Sequence, residues 1–225
     1  MALLVAMMAM LLMTALGAAL VLTTSSEAII AGNFRNSIEG LYAAEAVLER
    51  SLDDLQTLPG WNPVLNGLLQ SAFVDGAPGG SRTLSDGSAI DLGQAINMAN
   101  CRKITACSTT DLDAVTADRP WGANNPRWRL YAYGRLSDMM PAGAINSPYY
   151  VMVMVGDDAS ENDDNPLLDG IGPGNPGAGI LVLRAEAFGP RGAHTAIELT
   201  VARIDAAELE SARAGVRVLS WRAVR

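Results

Sequence analysis

The chain has 225 residues, a formal net charge of −8 and 49% apolar side chains. Its 16 Lys and Arg are scattered, with only Arg127/Arg129 and Arg213, Arg217, Arg222 and Arg225 forming clusters, which argues against a nucleic-acid partner. Once an apolar N-terminal run is set aside, roughly 170 residues remain, enough for one core and short of two comfortable domains.

Residues 2–22, ALLVAMMAMLLMTALGAALVL, contain nothing more polar than Thr14. As a helix rising about 1.5 Å per residue, the run is roughly 30 Å long, the thickness of a bilayer's hydrocarbon core. Beyond Thr23, Thr24, Ser25 and Ser26 the period changes without a stop signal. Ile30, Phe34, Ile38, Leu41, Ala44, Leu48, Leu52 and Leu55 fall at three- and four-residue spacing, with Glu27, Arg35, Asn36, Glu39, Arg50 and Asp53 among them. The pattern predicts one helix to about residue 58. Its first part, 1–24, is apolar all round; its second, 25–58, is amphipathic and belongs to a globular head, 25–225. A cleaved signal peptide would need a basic start and an apolar stretch of about 7–15 residues. A plain single-span anchor, or a helix buried first in lipid and later among similar helices, suits the run better.

Pro59-Gly60 stops the helix, since Pro cannot donate and Gly takes a left-handed turn. Residues 64–73 read as a short helix or an irregular packed segment, and 75–90, DGAPGGSRTLSDGSAI, as a surface loop. Residues 92–101 and 111–119 carry short helical patterns. Cys101 and Cys107, in NCRKITAC, read as a local disulfide in a head outside the cytoplasm. A redox pair would want C-x-x-C, and a metal site lacks further Cys or a paired His. Closing so small a loop contributes about 2 kcal/mol on the chain-entropy model.

The second half turns to a two-residue period. Residues 128–136 and 149–155 (YYVMVMV, apolar on both faces and central), 180–188 and 194–203 read as strands. Gly189-Pro190-Arg191-Gly192 reads as a hairpin turn. Residues 216–224 read as an edge strand on which Arg217, Arg222 and Arg225 discourage further pairing. The fold class is α+β: a long N-terminal helix laying its stripe on one apolar face of an antiparallel sheet.

One cluster could hold an ion: the acidic segment 156–170, with Asp157, Asp158, Glu161, Asn162, Asp163, Asp164, Asn165 and Asp169. Calcium takes six to eight oxygens, and Glu161, Asp163 and Asn165 have the alternate spacing of an EF-hand-like loop, with Asp169 beyond. Pro166 stands where that loop needs Gly, and Gly172 where it needs Glu, so a solvated acidic loop is the plainer reading. No other cofactor is expected. His194, the only histidine, reads as a half-packed residue at a strand start; no G-x-S-x-G elbow accompanies it, and the Gly-rich 170–179 lacks the Lys-Ser/Thr of a P-loop. The chain is therefore not read as an enzyme. Trp61, Trp121, Trp128 and Trp221 read as core or loop anchors. Glu27, at the end of the apolar run, is either a headgroup-level charge or the partner of a cation at a helix–helix contact.

The order ALLVA (2–6), Leu16-Gly17, Ser26-Glu27-Ala28, Ile30-Ala31-Gly32-Asn33, Arg35 and Tyr42-Ala43-Ala44-Glu45-Ala46 resembles the N-terminal domain of PilX-type minor pilins of type IV pili. AGN and AAEA are its clearest parts, within about the first fifty residues, and Glu27, Gly32, Asn33, Arg35 and Glu45 are the motif positions. The resemblance implies a pilin architecture, residence in the bacterial inner membrane with the head outside the cytoplasm, and later insertion into a pilus. It implies other pilins as partners through the helix, a tip adhesin as a further partner, and a role in priming assembly or at the tip. It also implies a basic leader ending in Gly ahead of Met1, either removed or encoded further upstream. The family's bulk subunits carry a glutamate near position 5; Val5 and its neighbours offer none, which fits a minor subunit. A type II secretion pseudopilin shares the same helix logic, and a membrane-tethered periplasmic binding module is the reading from a different class.

Overall fold

The computed structural model describes residues 1–140, 143–161, 163–170, 175–204 and 215–224. Its first element, α1 (Ala2–Gln56), is a single helix of 55 residues. The chain forms two compact units, Met1–Glu39 and Gly40–Arg225. In the first, the apolar side chains lie open, Leu3, Leu11, Leu20 and Ile29 among them. The few polar groups in this stretch are satisfied within the helix: Thr14, Thr23, Thr24 and Ser26 each donate a hydroxyl to a carbonyl three or four residues earlier. Arg35 and Glu39 form an i,i+4 pair at 2.6 Å.

In the second unit α1 buries Gly40, Ala43, Ala44, Val47, Leu48, Ser51, Leu52 and Leu55, one stripe at helical spacing. The buried stripe thus begins at Gly40, later than the sequence period implies. Ile30 and Phe34 share that period but are 67% and 69% exposed, and belong to the first unit. Small residues let the helix approach its neighbours closely. A Cβ at Gly40 would stand 2.7 Å from Thr195 Oγ1. The one buried hydroxyl of the stripe, on Ser51, returns to the Val47 carbonyl at 2.8 Å. Past α1, Trp61 is buried and its indole N–H points to the Leu55 carbonyl at 3.4 Å.

A single turn, α2 (Asn62–Leu65), follows. The stretch expected to be a loop instead contains a small hairpin, β1 (Ser81–Thr83) and β2 (Ala89–Asp91). Its turn is held by the Leu84 N–H on the Ser88 carbonyl at 2.8 Å, with Gly87 at φ 84°. Asp86-Gly87 is a hairpin signal set among so many other turn residues that it did not stand out. Helix α3 (Leu92–Cys101) starts on an Asp91 side-chain cap. Helix α4 (Thr109–Asp113) starts on a capping box between Ser108 and Asp111. It ends before the expected residue 119, because the Asn125 amide takes the Leu112 and Ala114 carbonyls that a longer helix would need.

Strands β3 (Arg129–Arg135), β4 (Tyr150–Asp157), β5 (Ile180–Phe188), β6 (His194–Ile204) and β7 (Gly215–Val224) form an antiparallel sheet in sequence order. All eight residues of β4 are buried, although β5 is the middle strand. Val151, Val153 and Val155 join the α1 stripe in one core, with Leu181, Leu183 and Ile197. Tyr150, Met152 and Met154 face the other way and pack with Leu92 and Trp128 in a second core. The sheet therefore buries parts of both faces, as the run 149–155, apolar on both, implied; α3 supplies the second cover, which the sequence reading had not placed there. The fold is α+β, a long helix packed through its second part on a five-stranded antiparallel sheet.

Candidate functional site

The most exposed chemistry in the chain is the apolar surface of residues 2–22. That stretch lies in a helix long and apolar enough to cross a membrane, with a mean hydropathy of 2.4 over its best window. Of the motif positions, Glu27, Asn33 and Arg35 are exposed and Gly32 is half-buried in the first unit; Glu45 is half-buried in the second.

The acidic segment follows β4. Asp157 ends the strand with its side chain on the face of Val151, Val153 and Val155, and is only 2% exposed. Its Oδ1 has no hydrogen-bond partner. Burial, then the neighbouring Glu161 carboxylate, push its carboxyl up to about 8, so the neutral acid is the form present at pH 7. Glu161, also buried, accepts the Gly170 N–H on both carboxylate oxygens, at 3.1 and 2.9 Å. Asp163 accepts the Asn165 N–H at 2.9 Å, and Asp169 accepts the Gly179 N–H at 2.6 Å while its own N–H reaches Asn62. Burial pushes the Glu161 and Asp169 carboxyls up as well. The oxygens of the proposed calcium set thus cap the loop's own amides. Among the described residues no three His, Cys, Asp or Glu side chains are grouped to hold a metal ion. Asn162 and Gly172 lie outside the described residues.

Cys101 and Cys107 are joined by a disulfide, with Cα atoms 6.0 Å apart. It ties the end of α3 to the residue before the Ser108 cap of α4. Trp61 lies in the first core and Trp128 in the second, as anchors; Trp121 and Trp221 are about half exposed.

The feature that sequence reasoning missed lies on the outer face of β5, β6 and β7, beyond the cover of α3. Glu198 is buried between two guanidinium groups: Arg184 donates to one of its oxygens at 3.0 Å and Arg222 to the other at 2.8 Å. Arg184 also reaches Glu186 at 2.7 Å, and His194 sits 3.0 Å from the second Glu186 oxygen while stacking on Phe188. Burial would raise the Glu186 carboxyl, but the His194 hydrogen bond and the Arg184 charge outweigh it and hold it low. This ladder floors an open groove of about 1380 Å³, walled on the other side by Met98, Arg102 and Trp121. The signal was present as Arg184 and Glu186 two residues apart on one strand. Period-two charge announces a polar face, but not that the face is half covered.

Compared with family models, with curated proteins and with solved structures, the chain matches none.

Proposed function

We propose that this chain is a membrane-anchored assembly subunit of the PilX-like minor pilin kind. Residues 2–22 would hold it in the bacterial inner membrane, and the same surface would then pack among like helices as it enters a pilus, at or near the tip. The observation that carries this reading is the continuous helix α1, apolar and open over residues 2–22 and buried against a sheet only from Gly40 on. Such a surface does not stand in water; lipid covers it, or other helices do. Internal satisfaction of Thr14, Thr23, Thr24 and Ser26 suits both surroundings. The α+β head, with its disulfide, suits a position outside the cytoplasm. The role is structural: priming or tip function with other pilins and a tip adhesin as partners, and no catalysis.

The test is fractionation of cells producing the tagged chain. The chain should resist alkaline extraction from membranes and also appear in sheared surface filaments, and deleting it should lower filament number. Recovery only as a soluble periplasmic protein overturns the reading. Membrane retention without filament association, alongside a secretion pore, would move it to the pseudopilin class.

A further inference from the structure

The two edges of the five-stranded sheet are treated differently. Along β3, residues 70–75 close the edge: Ser71 and Asp75 donate N–H groups to Tyr131 and Tyr133, each at 2.9 Å, and Phe73 accepts the Tyr133 N–H at 3.0 Å. Along β7, ten residues long, no strand pairs with the outer edge among the described residues. An edge of this length is a template for another strand unless something blunts it.

The side chains of β7 say what kind of strand it would take. Val218 and Trp221 stand opposite Val201 and Leu199, on the face that carries the α1 core, yet both are 47% exposed. Arg217 and Arg222 stand opposite Ala202 and Glu198, on the polar face. Arg222 is already bound to Glu198, whereas Arg217 is an exposed cation without an acidic partner among the described residues. A second copy of the chain is a poor occupant. Paired antiparallel in the fully overlapped register, it sets Arg217 of each copy opposite Arg222 of the other, and like charges directly opposite destabilise a ladder. The arginines that discourage self-pairing therefore favour an acidic strand, and the apolar positions favour one whose alternate residues are β-branched.

We propose that the outer edge of β7 receives, by strand addition, an extended segment of another protein in which acidic residues alternate with apolar ones. This stands on the sheet alone and does not depend on membrane or pilus assignment. The probe is a labelled peptide of ten residues, alternating Glu and Val with blocked ends, titrated against the full chain in detergent micelles by fluorescence anisotropy. Saturable binding is expected. N-methylation of alternate peptide nitrogens, which keeps the side chains and removes the donors, should weaken it at least tenfold. Trp221→Ala and Arg217→Glu should each weaken it several-fold without changing the unfolding temperature of the chain. A Lys/Val peptide should bind poorly to the wild type and recover affinity for Arg217→Glu. No saturable binding, equal binding of the methylated peptide, or indifference to Arg217→Glu overturns the proposal. So does self-association of the chain in sedimentation that Trp221→Ala abolishes.

Discussion

Replacing Leu48 by Ala tests where the helix stops being a free surface and becomes part of a core. Leu48 is 2% exposed and lies in the α1 stripe among the valines of β4. Truncating a buried leucine loses its transfer free energy and leaves a cavity, together about 2–5 kcal/mol. For a unit of this size each kcal/mol lowers the unfolding temperature by about 2–4 °C, so a fall of roughly 5–15 °C is expected. Leu48→Asp should abolish cooperative unfolding, because the carboxylate would be buried without a partner. Two controls fix the boundary. Ile30→Ala, eighteen positions upstream on the same sequence period (about five turns), and Asp53→Lys, on the exposed side of the stripe, should each cost no more than about 0.5 kcal/mol. The assay is thermal unfolding of the full chain in detergent, followed by near-ultraviolet circular dichroism of the buried Trp61 and Trp128. Equal losses for Ile30→Ala and Leu48→Ala would refute a core that begins at Gly40.

Two further predictions concern the acidic segment. The folded state keeps a proton on Asp157 up to about pH 8, whereas the unfolded chain releases it near the ordinary value of 3.8. The folded form therefore binds the extra proton between those values, and stability falls as pH rises through that window, with a slope of at most about 1.4 kcal/mol per pH unit from this group. Asp157→Asn should flatten the decline between pH 5 and 8 and be more stable than wild type at pH 8; identical slopes for the two proteins would contradict the assignment. Because Glu161, Asp163 and Asp169 cap backbone amides, millimolar calcium should raise the unfolding temperature no more than sodium at matched ionic strength. A calcium-specific rise would show that the loop gives up those caps to bind the ion.

Much of the fold was legible because two periods carry it. The helical period gave α1 and α3, and alternation, or for β4 a short run apolar on both faces, gave β3 through β7 to within a residue or two. Alternation also separates the valines of β4 from its tyrosine and methionines, but nothing in the sequence says that α3 returns to cover the second set. The same limit explains Ile30 and Phe34: period fixes which side of a helix is apolar, not where along it a partner begins. The acidic segment was legible only as two alternatives, for another reason. Oxygen spacing suggests calcium, but the same carboxylates can turn inward to the loop's own N–H groups, and only the backbone path decides between the two. The Arg184–Glu198–Arg222 ladder was hidden likewise, since its members are brought together by strand register, which one chain's spacing does not state.

The most direct test of the central claim is a photocrosslinking amino acid placed at Leu11, within the apolar part of α1, in cells that make the chain at its natural level. A subunit that waits in lipid and then assembles should give lipid adducts together with protein adducts to other long-helix subunits, the protein adducts enriched in the sheared filament fraction. Lipid adducts alone would reduce the chain to a plain membrane anchor with a head. Loss of the labelled segment from the mature protein would mark residues 2–22 as a cleaved signal, and either result would contradict the account.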